Sequence, residues 1–472
     1  MKPAPLLALL ALAACTTAQP RSPAVQSVPP AYAAARTAGL PPADWWRNRL
    51  GDPALARLVA AALANSPDLA AAAARIQQAR AGLGVSQAER MPILNGNGSV
   101  TFNRSSPNEG GIGSIDIPGA PEIDHEKVFY RAGIEGSWDS DLFGRLRADA
   151  RAASARLDAA GFDAAAVRLA LVTDVARNLV AARSALARED VAQATTRSAR
   201  ESLEVSARKV RAGLVPGIDL TRAETLVAET ASAVPKFEAE QSARVAALAA
   251  LTGLAPVEIR SLVESELDIP HFEAPAAGVP SDLLLRRPDI VAALTRVAAA
   301  DQDTASAIAE RYPRLSITAT LGLVATALGD LFSADALTGS VGPGLAGPLL
   351  DFRRNRARVE QARGRASEAV ASYRQTVLRA FSEVETQLAS VDARRRQIIA
   401  LERQLAAAEE TTRIARVQYR SGLTDYLGVL DAERTANRAR DQLAVARGDL
   451  SDAQLALYRA IGGDFGSKEV SQ

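Results

Sequence analysis

Cysteine occurs once in the 472 residues, at Cys15, and histidine twice, at His125 and His271. Ligand count alone therefore excludes a disulfide scaffold, an iron-sulfur cluster and a cysteine- or histidine-based zinc site, and no metal or cofactor is expected. Aromatic residues make up 4% of the chain, and lysine fills five positions. Neither sign of charge is in surplus: 55 basic against 54 acidic side chains leave a formal +1, which removes the electrostatic basis for binding nucleic acid. Beyond the first residues, no stretch approaches the roughly 18 apolar residues of a membrane-spanning helix. A mature chain that crosses a membrane must do so with strands. Alanine and arginine are abundant, which favours helices that carry charge on long, packable stems.

Residues 1–14 carry one basic residue, Lys2, and an apolar run from Leu6 to Ala13, the shape of a secretory signal. The run closes Leu12, Ala13, Ala14, Cys15, which resembles a lipobox with Cys15 as the lipid acceptor. The following Thr16, not an aspartate, resembles the sorting of lipoproteins to the outer membrane. Residues 15–52 then read as a lipidated tether and N-terminal strap, with six prolines between Thr16 and Pro42.

Two copies of one unit follow. An offset of 209 superimposes Phe143 on Phe352, Arg145 on Arg354, Arg211 on Arg420, Gly213 on Gly422, Leu214 on Leu423, and Glu224 on Glu433. Upstream the offset is 221, placing Pro67, Asp68 on Pro288, Asp289, and Glu89, Arg90, Pro92 on Glu310, Arg311, Pro313. The first repeat is assigned to 53–253, with a β-hairpin at about 97–142, and the second to 288–462, with a hairpin at about 314–351. A connector, 254–287, joins them, and 463–472 form a tail. Within each repeat the expected order is helix, two strands, long helix, turn, helix.

Proline is missing from 122–215 and after Pro348, and each window holds an expected helix of more than sixty residues. Val370, Val377, Val384, Val391, Ile398 and Leu405 recur every seven residues, a stripe that supercoils against neighbouring helices. Val167, Leu171, Val175, Leu179, Ala182 and Leu186 form the matching face in the first repeat. Two other segments alternate with period two. Val128, Tyr130, Ala132, Ile134, Gly136 and Trp138 oppose Lys127, Arg131, Glu135 and Ser137, while Leu315, Ile317, Ala319, Leu321 and Leu323 oppose Ser316, Thr318, Thr320 and Gly322. One greasy and one polar face fit a strand between lipid and water, or the half-buried sheet of a soluble protein. Asn97 to Arg104 and Thr338 to Leu350 are the partner strands, with loops at Ser105 to Asp124 and Ala325 to Ala336. Four strands per chain cannot close a barrel in lipid, so subunits must share one; a pore favours three chains and twelve strands.

Several motifs together resemble the outer-membrane efflux protein family, the TolC-like outer membrane factors, in its lipoprotein branch. They are Gly51, Asp52, Pro53; WDSDLFGR from Trp138 to Arg145; PSDLLLRRPDI from Pro280 to Ile290; and RSGLTDYLGVLDAER from Arg420 to Arg434. The resemblance implies a mainly α chain with a four-stranded contribution to a trimeric, twelve-stranded outer-membrane β-barrel, continued by a periplasmic α-helical tunnel. It implies a homotrimer anchored in outer-membrane lipid, a periplasmic adaptor protein, and an inner-membrane pump of the resistance-nodulation-division type. The implied activity is passive conduction of small molecules outward. A type I protein-secretion duct is the alternative in the same class, and a structural lipoprotein coiled-coil rod the alternative outside it.

By the same resemblance, the periplasmic gate falls on Asp431, Leu427, Tyr419 and Arg434. The adaptor-contact tips fall on Arg211, Gly213, Leu214, Arg420, Gly422 and Leu423, and the strand-to-helix transition on Trp138, Asp141, Phe143, Gly144 and Phe352. Catalysis is not expected. Asp139 and Asp141 are read as lumen-facing acids near a helix start, His125 as exposed, and Arg394 to Arg396 as a solvated face. Gly342, Pro343, Gly344 lacks the amide donors of a phosphate cradle.

Overall fold

The computed structural model describes residues 52–104, 106, 126–265, 268–269, 272, 284 and 286–462. Cys15, the signal and tether, His125, His271, nearly all of the 105–124 loop, much of the connector, and the 463–472 tail lie outside the described residues. The described elements are α1 (Pro53–Asn65), α2 (Pro67–Ala88), β1 (Ile93–Arg104), β2 (Glu126–Asp139), α3 (Arg145–Arg211), α4 (Gly217–Ala231), α5 (Val234–Thr252), α6 (Pro256–Glu264), α7 (Pro288–Ala309), β3 (Arg314–Ala325), β4 (Leu337–Ala346), α8 (Arg354–Arg420) and α9 (Tyr426–Ala460). The chain is mainly helical with one four-stranded antiparallel sheet. It divides into two compact units. One comprises Gln77–Asp158 and Thr295–Ala371, and the other comprises 52–76, Ala159–Leu294 and the chain from Ser372 onward.

The first unit holds the sheet, ordered β1-β2-β3-β4. Its register runs Leu94↔Gly136 to Phe102↔Val128, Tyr130↔Ala325 to Trp138↔Ile317, and Leu315↔Leu345 to Leu323↔Leu337. Two boundaries differ from the sequence expectation. β1 begins at Ile93, because Ile93 to Gly96 pair with Ser137 to Ile134, and β4 ends at Ala346, two residues before Pro348. The expected 325–336 loop contains two short 3-10 turns, Leu328–Asp330 and Ala334–Ala336.

In the second unit, one core joins Leu55, Leu58 and Val59 of α1 to Leu171, Val175 and Leu179 of α3. Val245 and Leu248 of α5, Ile259 and Val263 of α6, Phe272, and Leu455 and Tyr458 of α9 complete it. The connector thus supplies buried apolar side chains as well as linking chain. Asp52 caps α1, its Oδ1 accepting from the Ala54 and Leu55 amides at 2.9 and 3.2 Å, and Pro53 takes the first helical position, where no amide is needed.

α3 and α8 each run 67 residues, the proline-free stretches allowing every interior amide its i−4 partner. On α8, Val377, Val384 and Val391 are buried while Val370, Ile398 and Leu405 are half-buried, and the last two pack beside Leu401 against Leu443 and Ala446 of α9. Two helices expected as single are broken. The helix expected to open 53–253 divides into α1 and α2 at Ser66 before Pro67, and the one expected to close it into α4 and α5 at Ser232 and Ala233 before Pro235. Proline cannot continue the helical hydrogen bonding, and it restricts the residue before it.

Candidate functional site

Below the Arg104–Glu126 pair, the register assembles one face of the sheet from apolar residues. β1 contributes Leu94, Gly96, Gly98, Val100 and Phe102; β2 contributes Val128 to Trp138 at even positions; β3 contributes odd positions 315–325; and β4 contributes Leu337, Gly339, Val341, Pro343 and Leu345. The opposite face carries Asn95, Asn97, Thr101, Lys127, Arg131, Glu135, Thr318, Thr320 and Ser340. The apolar side chains are not folded against the chain's own helices: Val100 is 69% exposed, Phe102 63% and Val341 77%. A half-buried soluble sheet hides such a face, so this one has another solvent. Among the described residues, β1 and β4 are each paired on one side only, leaving two open edges.

Below the sheet, the expected transition residues make a compact junction. The Trp138 indole N–H donates to the Arg90 carbonyl at 3.0 Å, and the Phe143 and Tyr312 rings stack with centroids 4.7 Å apart. Asp141 (φ 50°) turns the chain, and its carboxylate accepts from the Leu146 and Arg147 amides at 2.8 and 2.9 Å and from Arg147 Nε at 3.1 Å. That carboxylate is committed to starting α3, where an acid also opposes the positive end of the helix dipole. Gly144 follows at φ 78°, a conformation that suits glycine. At the equivalent point before α8, Asp351 accepts from the amides of Arg353 and Asn355 at 3.1 and 3.0 Å, and Phe352 has φ 47°.

The second unit holds the expected tips. Both long helices end identically: Leu214 N–H donates to Lys209 O and Gly213 N–H to Val210 O, while Leu423 N–H donates to Gln418 O and Gly422 N–H to Tyr419 O. These are Schellman ends, with Gly213 and Gly422 at φ 70° and 73°. Leu214 and Leu423 project 72% and 78% exposed, and Arg211 and Arg420 are also exposed.

Of the gate residues, Leu427, Asp431 and Arg434 are exposed on α9, whereas Tyr419 is buried at the end of α8. Arg434 pairs with Glu229 of α4 at 2.8 Å. The Tyr419 hydroxyl lies 3.2 Å from Ser206 Oγ, and Lys209 donates to the Tyr419 carbonyl while its ammonium sits over the ring. Tyr419 and Tyr426 tilt against each other at 5.5 Å in a cluster with Ala199, Ala223, Leu226, Val429 and Leu430. Burial pushes both phenols up, and the nearby Glu433 charge raises Tyr426 further.

Sequence reasoning missed the charged network beside this cluster. Glu433 is buried, and its Oε1 accepts from Ser202 Oγ at 2.6 Å and from Arg416 Nε at 2.8 Å; Arg416 also donates to Ser198 Oγ. The 209-residue offset matches Glu433 with Glu224, but Glu224 is exposed, so the repeat marks the position without revealing burial. Asp219 was missed as well. It is 4% exposed in the first turn of α4, and burial raises its pKa against the lowering effect of Arg222.

A family profile described as outer membrane efflux protein matches residues 58–254 and 279–463. The pyoverdine export outer membrane protein OpmQ of Pseudomonas putida is 30% identical over 460 residues, spanning 97% of this chain and 96% of that protein. The cation efflux system protein CusC of Escherichia coli K12 is 29% identical, spanning 97% of this chain and 98% of that protein. Among solved structures, the outer-membrane channel OprN aligns with a TM-score of 0.85 at 30% identity, covering 94% of this chain and 98% of that one.

Proposed function

The chain belongs to the outer membrane efflux protein family and is an outer-membrane efflux channel, and from that membership we propose how its parts conduct. Three copies, each built from two repeats, pool four strands apiece into a twelve-stranded barrel, and their helices continue it as a periplasmic tunnel. The observation that carries this reading is the exposed apolar sheet face between two open edges. Unpaired edge groups in hydrocarbon cost several kcal/mol each, roughly, so the sheet is stable in lipid only when neighbouring copies pair its edges.

Conduction in this reading is passive, with energy supplied by an inner-membrane pump of the resistance-nodulation-division type through a periplasmic adaptor. The relatives are named for pyoverdine export and for cation efflux. A water-filled duct needs no pocket for either. Among the described residues, no group of three or more histidine, cysteine, aspartate or glutamate side chains could hold a metal ion. The exposed Leu214 and Leu423, with Arg211 and Arg420, form the adaptor-facing tips on Gly213 and Gly422. Asp431 and Leu427 narrow the periplasmic mouth, Arg434 and Tyr419 tie α9 and α8 to adjacent helices, and Cys15 carries the lipid.

The test is the native mass of detergent-extracted protein together with its current in a planar bilayer. Three chains that conduct ions are expected. A stable lone subunit, or a trimer that passes no current, overturns the reading.

A further inference from the structure

The sheet's apolar face does not end with its last strand pairs. Gly347 runs so close to Pro313 that an added Cβ would lie 2.8 Å from its Cα, so the chain after β4 is still held beside the start of β3. Past Ala346 the chain leaves the strand, and Leu349, Leu350 and Phe352 are among the most exposed apolar side chains of the described residues, Phe352 at 86%. Trp138, the last apolar residue of β2, stands at the same end of the sheet with its indole N–H held by Arg90 O.

Arginines follow at once. Arg353, Arg354 and Arg356 are exposed, and among the described residues none of them forms an ion pair. The nearest carboxylate, Asp351, is engaged by the Arg353 and Asn355 amides. Glu310 is taken by Arg358 and Glu360 by Arg363, so the acids along this stretch are in use while three guanidinium groups stay free for another anion.

We propose that Leu349, Leu350 and Phe352 with Arg353, Arg354 and Arg356 form a binding belt for anionic phospholipid, the apolar side chains in the acyl boundary of the periplasmic leaflet and the guanidinium groups on lipid phosphates. The proposal rests on the outer-membrane barrel reading and deepens it. Depth supports this occupant. Leu349 is four residues past Leu345, at most roughly 14 Å of chain. At the 35–45° tilt of barrel strands, that is at most about 10–12 Å below the last hydrocarbon row. The interfacial layer begins within that distance, and arginine stems are long enough to cross it. Aromatic and basic residues following the end of an apolar strand face are the usual composition of such a layer. At the opposite end of the same face, the pair Arg104 and Glu126, 3.3 Å apart, marks its other limit. At the lower rim the acids are engaged while Arg353, Arg354 and Arg356 are left over, which distinguishes it.

The experiment places a nitroxide on the full-length protein in phosphatidylglycerol-containing vesicles, at Phe352→Cys and, separately, at Val341→Cys in the middle of the apolar face. Accessibility to oxygen and to a water-soluble nickel chelate then reports depth. Expected is hydrocarbon-like behaviour at 341 and intermediate, headgroup-level behaviour at 352. If 341 reads as lipid while 352 is shielded from both reagents, protein covers the belt and this proposal fails alone. If 341 also fails to read as lipid, the barrel reading itself fails. The second arm compares Arg353→Gln/Arg354→Gln/Arg356→Gln with wild type for phosphatidylglycerol retained by the extracted protein. Each lost arginine should lower retention about five-fold, the equivalent of ~1 kcal/mol per basic residue at an anionic surface. Equal loss of phosphatidylglycerol and phosphatidylcholine, or no loss of either, overturns the phosphate assignment.

Discussion

Arg183 Nη1 lies 2.5 Å from Asp52 Oδ2, with both side chains almost fully buried and 131 positions apart in sequence. The guanidinium also donates from Nε to the Val263 carbonyl at 3.4 Å, so α3 is tied both to the start of α1 and to the end of α6. Asp52→Ala leaves a buried cation without its partner and is expected to destabilise the second unit by about 3–5 kcal/mol. Losing the cap of α1 adds ~1 kcal/mol. Pairing Asp52→Asn with Arg183→Met should recover much of the loss, as measured by thermal unfolding of the extracted protein.

In the proposed gate, the Arg434 and Glu229 pair supplies a lock of small capacity. Both partners are about half exposed, and such pairs contribute about 0.2–1 kcal/mol. Arg434→Ala and Glu229→Ala are therefore expected to raise open occupancy by no more than about five-fold, by equal amounts and without additivity. Single-channel recordings of the two variants and their double give the comparison; strictly additive effects would detach Arg434 from Glu229.

Asp219 makes the tip sensitive to pH. Burial raises its folded-state pKa above the ordinary 3.8, so the folded tip favours the neutral carboxyl. Its contribution is fully present below pH 3.8 and is lost as pH rises through the raised value. Asp219→Asn should accordingly stabilise the tip at neutral pH and remove this pH dependence, read from hydrogen exchange of the first-turn amides of α4.

In the proposed tip, Gly422 serves the fold and Leu423 the docking. Gly422→Ala forces a left-handed residue to carry a Cβ and is expected to cost about 1–2 kcal/mol, with Gly213→Ala similar. Leu423→Asp alters a side chain that supports little of the chain's own packing, so unfolding should be unchanged while efflux complementation falls. A matching drop in stability would show that Leu423 serves the fold instead.

The two faces of β4 should differ in tolerance. Val341→Lys puts a charge at the middle of the apolar face, at about 2–4 kcal/mol in a bilayer, whereas Ser340→Lys lies on the polar face and should be accepted. Recovery of folded protein in the outer-membrane fraction separates them.

Much of this architecture follows from periodicity and punctuation. The proline-free windows delimit α3 and α8, and both end on the paired glycines. Period-two alternation names the apolar side of β2 and β3, and motifs rich in tip and turn residues carry the family resemblance. These are local properties, since backbone hydrogen bonding within a helix and side-chain alternation along a strand depend only on nearby residues.

Tertiary structure alone decided which distant residues share an environment. The pairing of Trp138 with Ile317 unites two hairpins, and it turns four separate alternations into one continuous apolar face. Composition did not mark Arg183, Glu433 or Asp219 as buried among many exposed arginines and acids. Whether a charge can leave water depends on a partner supplied from elsewhere in the chain: Asp52 for Arg183, and Arg416 with Ser202 for Glu433. Local pattern selects elements, but burial of charge and exposure of greasy surface are properties of their assembly.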